Sequence, residues 1–195
     1  MQNNYFQDNL SHEKLSIRDI SLLKVKINDI SFYSSLLKNI NINESELVNF
    51  EFTSSKLENC DISNTELEKS YFKDSIILNS KAMGVNFTET IIKNTKFNKS
   101  KLNLTNFRFA NLENLDFNTC ILTDGDFQGA KLKNVSFLNC DLKGVDFSQA
   151  IFKNVDLRGS NIEGVKLNID TLKELTINTF QIIYIASLLG INIRD

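Results

Sequence analysis

Three cysteines, one histidine and scattered aspartates are the groups in this 195-residue chain whose types and spacing could do chemistry. Cys60, Cys120 and Cys140 stand at multiples of twenty from one another. That spacing would suit a redox pair or half a metal site if the fold brought them into line. Ser80, Ser100 and Ser160 share the spacing, so the favoured reading is three small buried fillers. His12 excludes a multi-histidine metal centre. It sits in a polar amino-terminal stretch without an evident partner, and no catalytic role is expected of it. Asn86-Phe-Thr88 and Asn103-Leu-Thr105 spell glycosylation acceptors, but the composition of the chain generates such triplets. The sequence holds no phosphate loop, nucleophile elbow or paired-acid arrangement. The expectation is a protein that is not an enzyme and needs no cofactor or metal.

The elements that carry these residues repeat with a period of five. Steps of five from Ile17 to Ile177 visit 33 positions, and Ala82 is the only one that is not large and apolar. Two residues earlier, from Ser55 onward, a second position is small: Ser55, Cys60, Thr65, Ser70, then mostly Ser, Thr, Ala, Val or Cys to Val165, with Leu115 the outlier. Two inward residues separated by one outward residue describe a short extended segment. Two residues after the large position, Asn and Gly recur, and five of the seven glycines stand there. These are the residues that tolerate positive φ at a corner. A short strand and a corner, repeated, coil into an all-β solenoid. From Phe97 to Phe147 the large position alternates Phe and Leu, so like residues stack only if a coil holds an even number of units. Four sides, or twenty residues, give columns Phe97–Phe117–Phe137 and Phe107–Phe127–Phe147 and about eight coils.

Val145-Asp146-Phe147, Val155-Asp156-Leu157 and Ala110-Asn111-Leu112 resemble the A(D/N)Lxx unit of the pentapeptide-repeat family. The resemblance is strong over residues 45–168 and has defects over 15–44. It implies a right-handed, four-sided β-helix. Some members of that family resemble B-form DNA in size and charge, bind DNA gyrase and protect it from quinolones or peptide toxins.

Boundaries follow from the phase. Residues 1–14 are polar and expected to be poorly ordered, 15–177 form the β-helix, and 178–195 form a capping and dimerisation helix with a short strand at 191–193. Leu15, Ile20, Val25 and Ile30 are too large for the small position, so the first coils are either irregular β, which is favoured, or partly helical. At the other end Phe180, Ile183, Tyr184 and Leu188 take helical spacing, with Asn178 and Gln181 placed as a capping box and Gly190 as terminator. Ile182, Ile185 and Leu189 make the opposite face apolar too. One face is expected to close the last coil and the other to meet a second copy, giving a twofold dimer.

Twenty-two basic against twenty-four acidic residues leave a net charge of −2, too little for a nucleic-acid binder. The amino terminus has no signal-peptide pattern and no apolar run is long enough to span a membrane, which points to the cytosol. Asp116, Asp126, Asp146 and Asp156 stand outward and are the candidates for imitating DNA phosphates, although lysines interrupt their columns. Tyr71, Ile76, Leu78 and Ile91 are apolar at outward positions, and Leu104 and Phe109 occupy corners where Asn or Gly is expected. Exposed apolar groups of this kind mark a partner surface. The leading expectation is a non-catalytic scaffold that binds another protein. A gyrase binder is the alternative, and an effector delivered to a host cell a third possibility.

Overall fold

In a computed structural model that describes residues 4–191, the chain winds into about eight parallel coils. Ser11 pairs with Ser31, Ser31 with Glu51, Glu51 with Tyr71, Tyr71 with Ile91 and Ile91 with Asn111, each twenty residues further on. Four walls per coil follow from the corners. Every fifth residue from Asn9 to Gly164 has positive φ, between +48° and +75°. Only five of these corners are glycine. A left-handed L-residue costs about 1–2 kcal/mol in isolation. The ladder offsets that cost by taking most corner amides, including those of Leu104 (to the Thr123 carbonyl, 3.0 Å) and Phe109 (to Gln128, 3.1 Å). One corner column adds a carboxamide ladder, in which Asn94 donates to Asp74, Asn114 to Asn94, Asn134 to Asn114 and Asn154 to Asn134 at 2.8–3.1 Å.

The interior confirms the two Phe columns. Rings of Phe97, Phe117 and Phe137 stack at 4.7 and 4.8 Å, and those of Phe107, Phe127 and Phe147 at 4.7 and 5.0 Å. Rings of facing columns meet edge to face, as Phe107 and Phe117 do at 83°. The small inward residues are polar for a reason. Ser75 Oγ donates to the Phe52 carbonyl at 3.1 Å and accepts from the Ser55 amide at 3.2 Å, so one hydroxyl joins two coils.

The first coils keep the same register and are not irregular: Ser16–Ser21 pairs with Leu36–Asn41, and Lys26–Asn28 with Glu46–Val48. Ile30, Ile40 and Phe50 are buried at the small position, where three walls carry Leu37, Ile42, Leu47 and Leu57 and the Phe50 ring packs on Phe32, Phe52 and Phe72 of the fourth. The boundary expected at residue 15 falls inside a coil. Ser11–Glu13 is already a strand, Phe6 is buried against Phe32, and the His12 ring stacks on Phe32 at 5.1 Å while its Nε2 lies 2.7 Å from the Tyr5 carbonyl.

At the far end the coil expected to reach residue 177 stops sooner. After the corner at Gly164, the next corner falls on Ile169, whose β-branched side chain opposes positive φ. The chain turns into a 3-10 helix at Ile169–Glu174, and the ladder resumes only at Leu175–Thr176, paired with Val155 and Asp156. Leu172 and Ile177 still pack against the core. A capping box joins Asn178 and Gln181 and leads through one 3-10 turn into the helix Ile182–Leu188, which Gly190 ends at φ +72°. The strand expected at 191–193 falls largely outside the described residues.

Candidate interaction surfaces

The thiols are built like the interior hydroxyls. Cys60 Sγ donates to the Leu37 carbonyl at 3.4 Å, Cys120 Sγ to Phe97 at 3.3 Å, and Cys140 Sγ accepts from the Cys120 amide at 3.4 Å. All three are buried and free. Burial pushes the Cys60 thiol up, and the bonded neighbour Cys120 together with burial pushes the Cys140 thiol up. Protonated and enclosed, Cys60 and Cys140 are poor nucleophiles, and Cys120, its thiol lowered by the bond to Cys140, is shut from solvent with them. Among the described residues no group of three or more His, Cys, Asp or Glu is placed to hold a metal ion.

On the outer walls the structure gathers four of the six apolar candidates. Tyr71 and Ile91 are stacked partners on one wall, while Ile76 and Leu78 lie on one strand of the next wall, across the corner at Asp74 and Asn94. Ile76 and Ile91 are each 39% exposed. Leu104 (61% exposed) lies away from them, two corners on from Asn94, whereas Phe109 (55%) stands at the corner that leads into the wall of Ile91 and Asn111. The Phe109 ring lies over Gly129, where an added Cβ would come within 2.6 Å of it, and Arg108 stands 5.7 Å from its centroid. Ile151, outward in the Tyr71–Ile91 column, was not among the candidates although the same outward rule identifies it.

Each candidate acid has a cation against it. Asp116 is 3.4 Å from Lys96, Asp126 3.2 Å from Arg108, Asp146 2.9 Å from Lys166 and Asp156 2.7 Å from Arg158. Burial works against ionisation of Asp146 and Asp156, yet the bonds from Ser148 and Lys166, and from Arg158, hold both carboxyls below the usual range. Each acid is thus matched by a cation, which is the opposite of what a phosphate backbone presents.

The helix divides the residues the spacing put together. Tyr184 turns to the rod and donates from its hydroxyl to the Val165 carbonyl at 3.2 Å. Gln181 is buried and donates from Nε2 to the carbonyls of Leu157 (2.7 Å), which also accepts from the Ser160 amide, and of Ser160 (2.8 Å), at the open edge of the last coil. The sequence signalled Gln181 only as half of a capping box. Phe180 (89% exposed), Ile183 (61%) and Leu188 face outward, joined by Ile182 and Leu189. No helix among the described residues is long and apolar enough to cross a membrane.

The profile of the pentapeptide repeat region matches residues 50–127 and 110–185, more than half of the chain. The chain belongs to the pentapeptide repeat family. Among solved structures this pentapeptide repeat chain is similar to a trypsin-treated variant of QnrB1, a plasmid-mediated fluoroquinolone resistance protein, at 20% identity and TM-score 0.56, covering 95% of this chain and 100% of that one. HetL, a pentapeptide repeat protein involved in heterocyst differentiation regulation in the cyanobacterium Nostoc, matches at 13% identity and TM-score 0.38 over 86% of this chain and 87% of its own. No curated protein matches the sequence significantly. At these identities the likeness is one of fold.

Proposed function

We propose that this pentapeptide repeat protein is a non-catalytic scaffold of the cytosol that presents its walls to a partner protein and pairs with a second copy through its C-terminal helix. Pentapeptide repeat proteins are in general structural or interaction proteins without enzymatic activity. The observation that carries the reading is the set of apolar side chains at positions the repeat gives to polar ones, from Tyr71 and Ile91 to Leu104 and Phe109, together with the outward face of the helix. Phe180, Ile182, Ile183, Leu188 and Leu189 leave one side of a seven-residue helix apolar while its other side closes the rod. Exposed clusters of this size mark contact surfaces, and a single patch that serves both copies satisfies a twofold axis. Sedimentation at micromolar concentration is expected to give a dimer, and Phe180→Ser with Ile183→Ser a monomer of unchanged circular dichroism. A wild-type monomer would remove the dimer. Affinity capture with wild-type protein is expected to retain a partner that Ile91→Ser or Leu104→Asn loses; identical captures would remove the scaffold reading.

DNA gyrase remains the second reading. It is supported by the resemblance to gyrase-protecting members and by the fold shared with a fluoroquinolone resistance protein. The cations beside Asp116, Asp126, Asp146 and Asp156 weigh against it. Inhibition of gyrase supercoiling, or rescue from drug-induced cleavage, at micromolar protein would place it first.

A further inference from the structure

In-register stacking sets each side chain of a column against the one a coil away, roughly 4.8 Å along the axis. Like charges so placed repel. Many charged columns avoid this by alternating sign, as Lys26 with Glu46 (2.7 Å), Lys38 with Glu58 (2.6 Å) and Lys166 with Asp146 (2.9 Å). Where acids stack on acids, they find other partners: Glu46 and Glu66 bond Lys26 and Asn86, and Asp126 and Asp146 bond Arg108 and Lys166.

Cations stack on cations at Arg18 with Lys38 and at Lys133 with Lys153, where Lys38 and Lys133 are held by Glu58 and Glu113. The middle of the rod stacks cations twice without close counter-ions, on either side of one strand. Lys73 stacks on Lys93 on one wall, and Lys81 stacks on Lys101 two walls on. Between these pairs lies the wall of Ile76–Leu78, whose Ile76 is itself flanked in register by Lys56 and Lys96. Lys56 is held by Glu58 at 2.5 Å, but the other counter-ions are looser: Lys96 to Asp116 at 3.4 Å, Lys93 to Glu113 at 3.6 Å, Lys81 to Asp61 at 3.7 Å and Lys73 to Asp74 at 3.8 Å. Among the described residues Lys99 and Lys101 form no ion pair. Residues 69–101 hold seven lysines against Asp74 and Glu89, in a chain whose net charge is −2. A repulsive cationic frame around an exposed aliphatic rung lowers the stability of the free rod, and an incoming anionic group would relieve it.

The geometry points to an occupant: the Ile76–Leu78 wall binds an acidic protein segment that sets a large apolar side chain on Ile76 and Leu78 and carboxylates against Lys93, Lys96, Lys99 and Lys101. This rests on the scaffold reading and names the chemistry of its partner. A nucleic acid fits less well. Its phosphates would match the lysines, but the centre of the frame at Ile76 and Leu78 is aliphatic, and the ring beside it, Tyr71, lies across the corner on the next wall.

The test is selection of a phage-displayed library of random 12-residue peptides on the full-length protein, followed by affinity measurement on the peptides recovered. The expected peptides combine Asp or Glu with Leu, Ile, Phe or Trp. Their binding should weaken at least tenfold on Ile76→Ser and on the pair Lys99→Glu with Lys101→Glu, and fall steeply with salt. These side chains point outward, so folding should be retained, and circular dichroism checks it. Ile151→Ser, outward on another wall, should leave the affinity unchanged. Peptides that lack acids, or that bind the variants as well as the wild type, would overturn the proposal. If such peptides are lost instead on Leu104→Asn, the scaffold reading survives and this one falls. A library that yields no binder counts against both. A 20-base-pair duplex that binds the wild type as tightly as the selected peptides, and is insensitive to Ile76→Ser, would also overturn it in favour of a nucleic acid.

Discussion

Replacing Phe117 by Leu asks whether the aromatic columns contribute more than the area they bury. Phe117 lies 4.7 Å from Phe97 at 11° and 4.8 Å from Phe137 at 7°, with Phe107 edge-on at 6.4 Å. With ring planes about 3.5 Å apart, the 4.7 Å separation leaves a lateral offset of about 3 Å, the arrangement aromatic pairs prefer. Each pair contributes about 0.5–1.5 kcal/mol beyond burial. Phe117→Leu removes two stacked pairs and one edge contact, and the volume lost adds about 1 kcal/mol, for a total of about 2.5–5.5 kcal/mol. Phe97 has a ring on one side only, since its other in-register neighbour is Ile77. Phe97→Leu is therefore expected to cost about 1.5–2.5 kcal/mol. Urea unfolding followed by circular dichroism measures both, and the double variant completes a cycle whose coupling should be about 0.5–1.5 kcal/mol. Equal losses from the single variants, with coupling below about 0.3 kcal/mol, would refute the reasoning and leave the columns as hydrophobic filler.

Two further outcomes follow from single side chains. Ser70 has a buried hydroxyl without a partner, so Ser70→Ala should stabilise the fold by about 1 kcal/mol in the same unfolding experiment. The Glu58 carboxyl is held at about 2, down from 4.5, by hydrogen bonds from Lys38 and Lys56. A carboxyl lowered in the fold contributes stability above its unfolded value and loses it as pH falls through the folded one. Wild-type stability should decline between about pH 4.5 and pH 2, and Glu58→Gln should flatten that decline.

The walls and the Phe columns were legible because one period ran through most of the chain and an alternation of Phe and Leu counted the sides. His12 stands five residues before Ile17, in the same phase, but a polar residue in an apolar position hid the first unit. Its ring lies on Phe32 as an apolar ring would. The early end of the coil was readable at Ile169, a residue poorly suited to a corner, yet Leu172 and Ile177 kept the phase and concealed it. For the surfaces, outward apolar residues were visible singly. Which of them meet depends on which wall each occupies, and that separates Leu104 from Tyr71 and Ile91 while setting Phe109 at the edge of their wall. That lysines interrupt the aspartate columns was visible, but which cation meets which acid was not, for a related reason. Lys96 with Asp116 and Lys166 with Asp146 are partners at a distance of twenty residues, which become neighbours only once the coil length is applied to charges as well as to rings.

The shared register of twenty also makes the rod a ruler. Removing or duplicating one complete coil, such as residues 101–120, returns every following residue to its own wall, with Phe still above Phe and corners still above corners. A change of five residues keeps each unit intact but rotates everything beyond it by one wall, so rings face leucines and outward patches move to a different side. Length in this protein is therefore variable only in whole steps, each about one strand spacing long. The distance between the Ile76–Leu78 wall and the C-terminal helix can be reset by duplication without redesigning either.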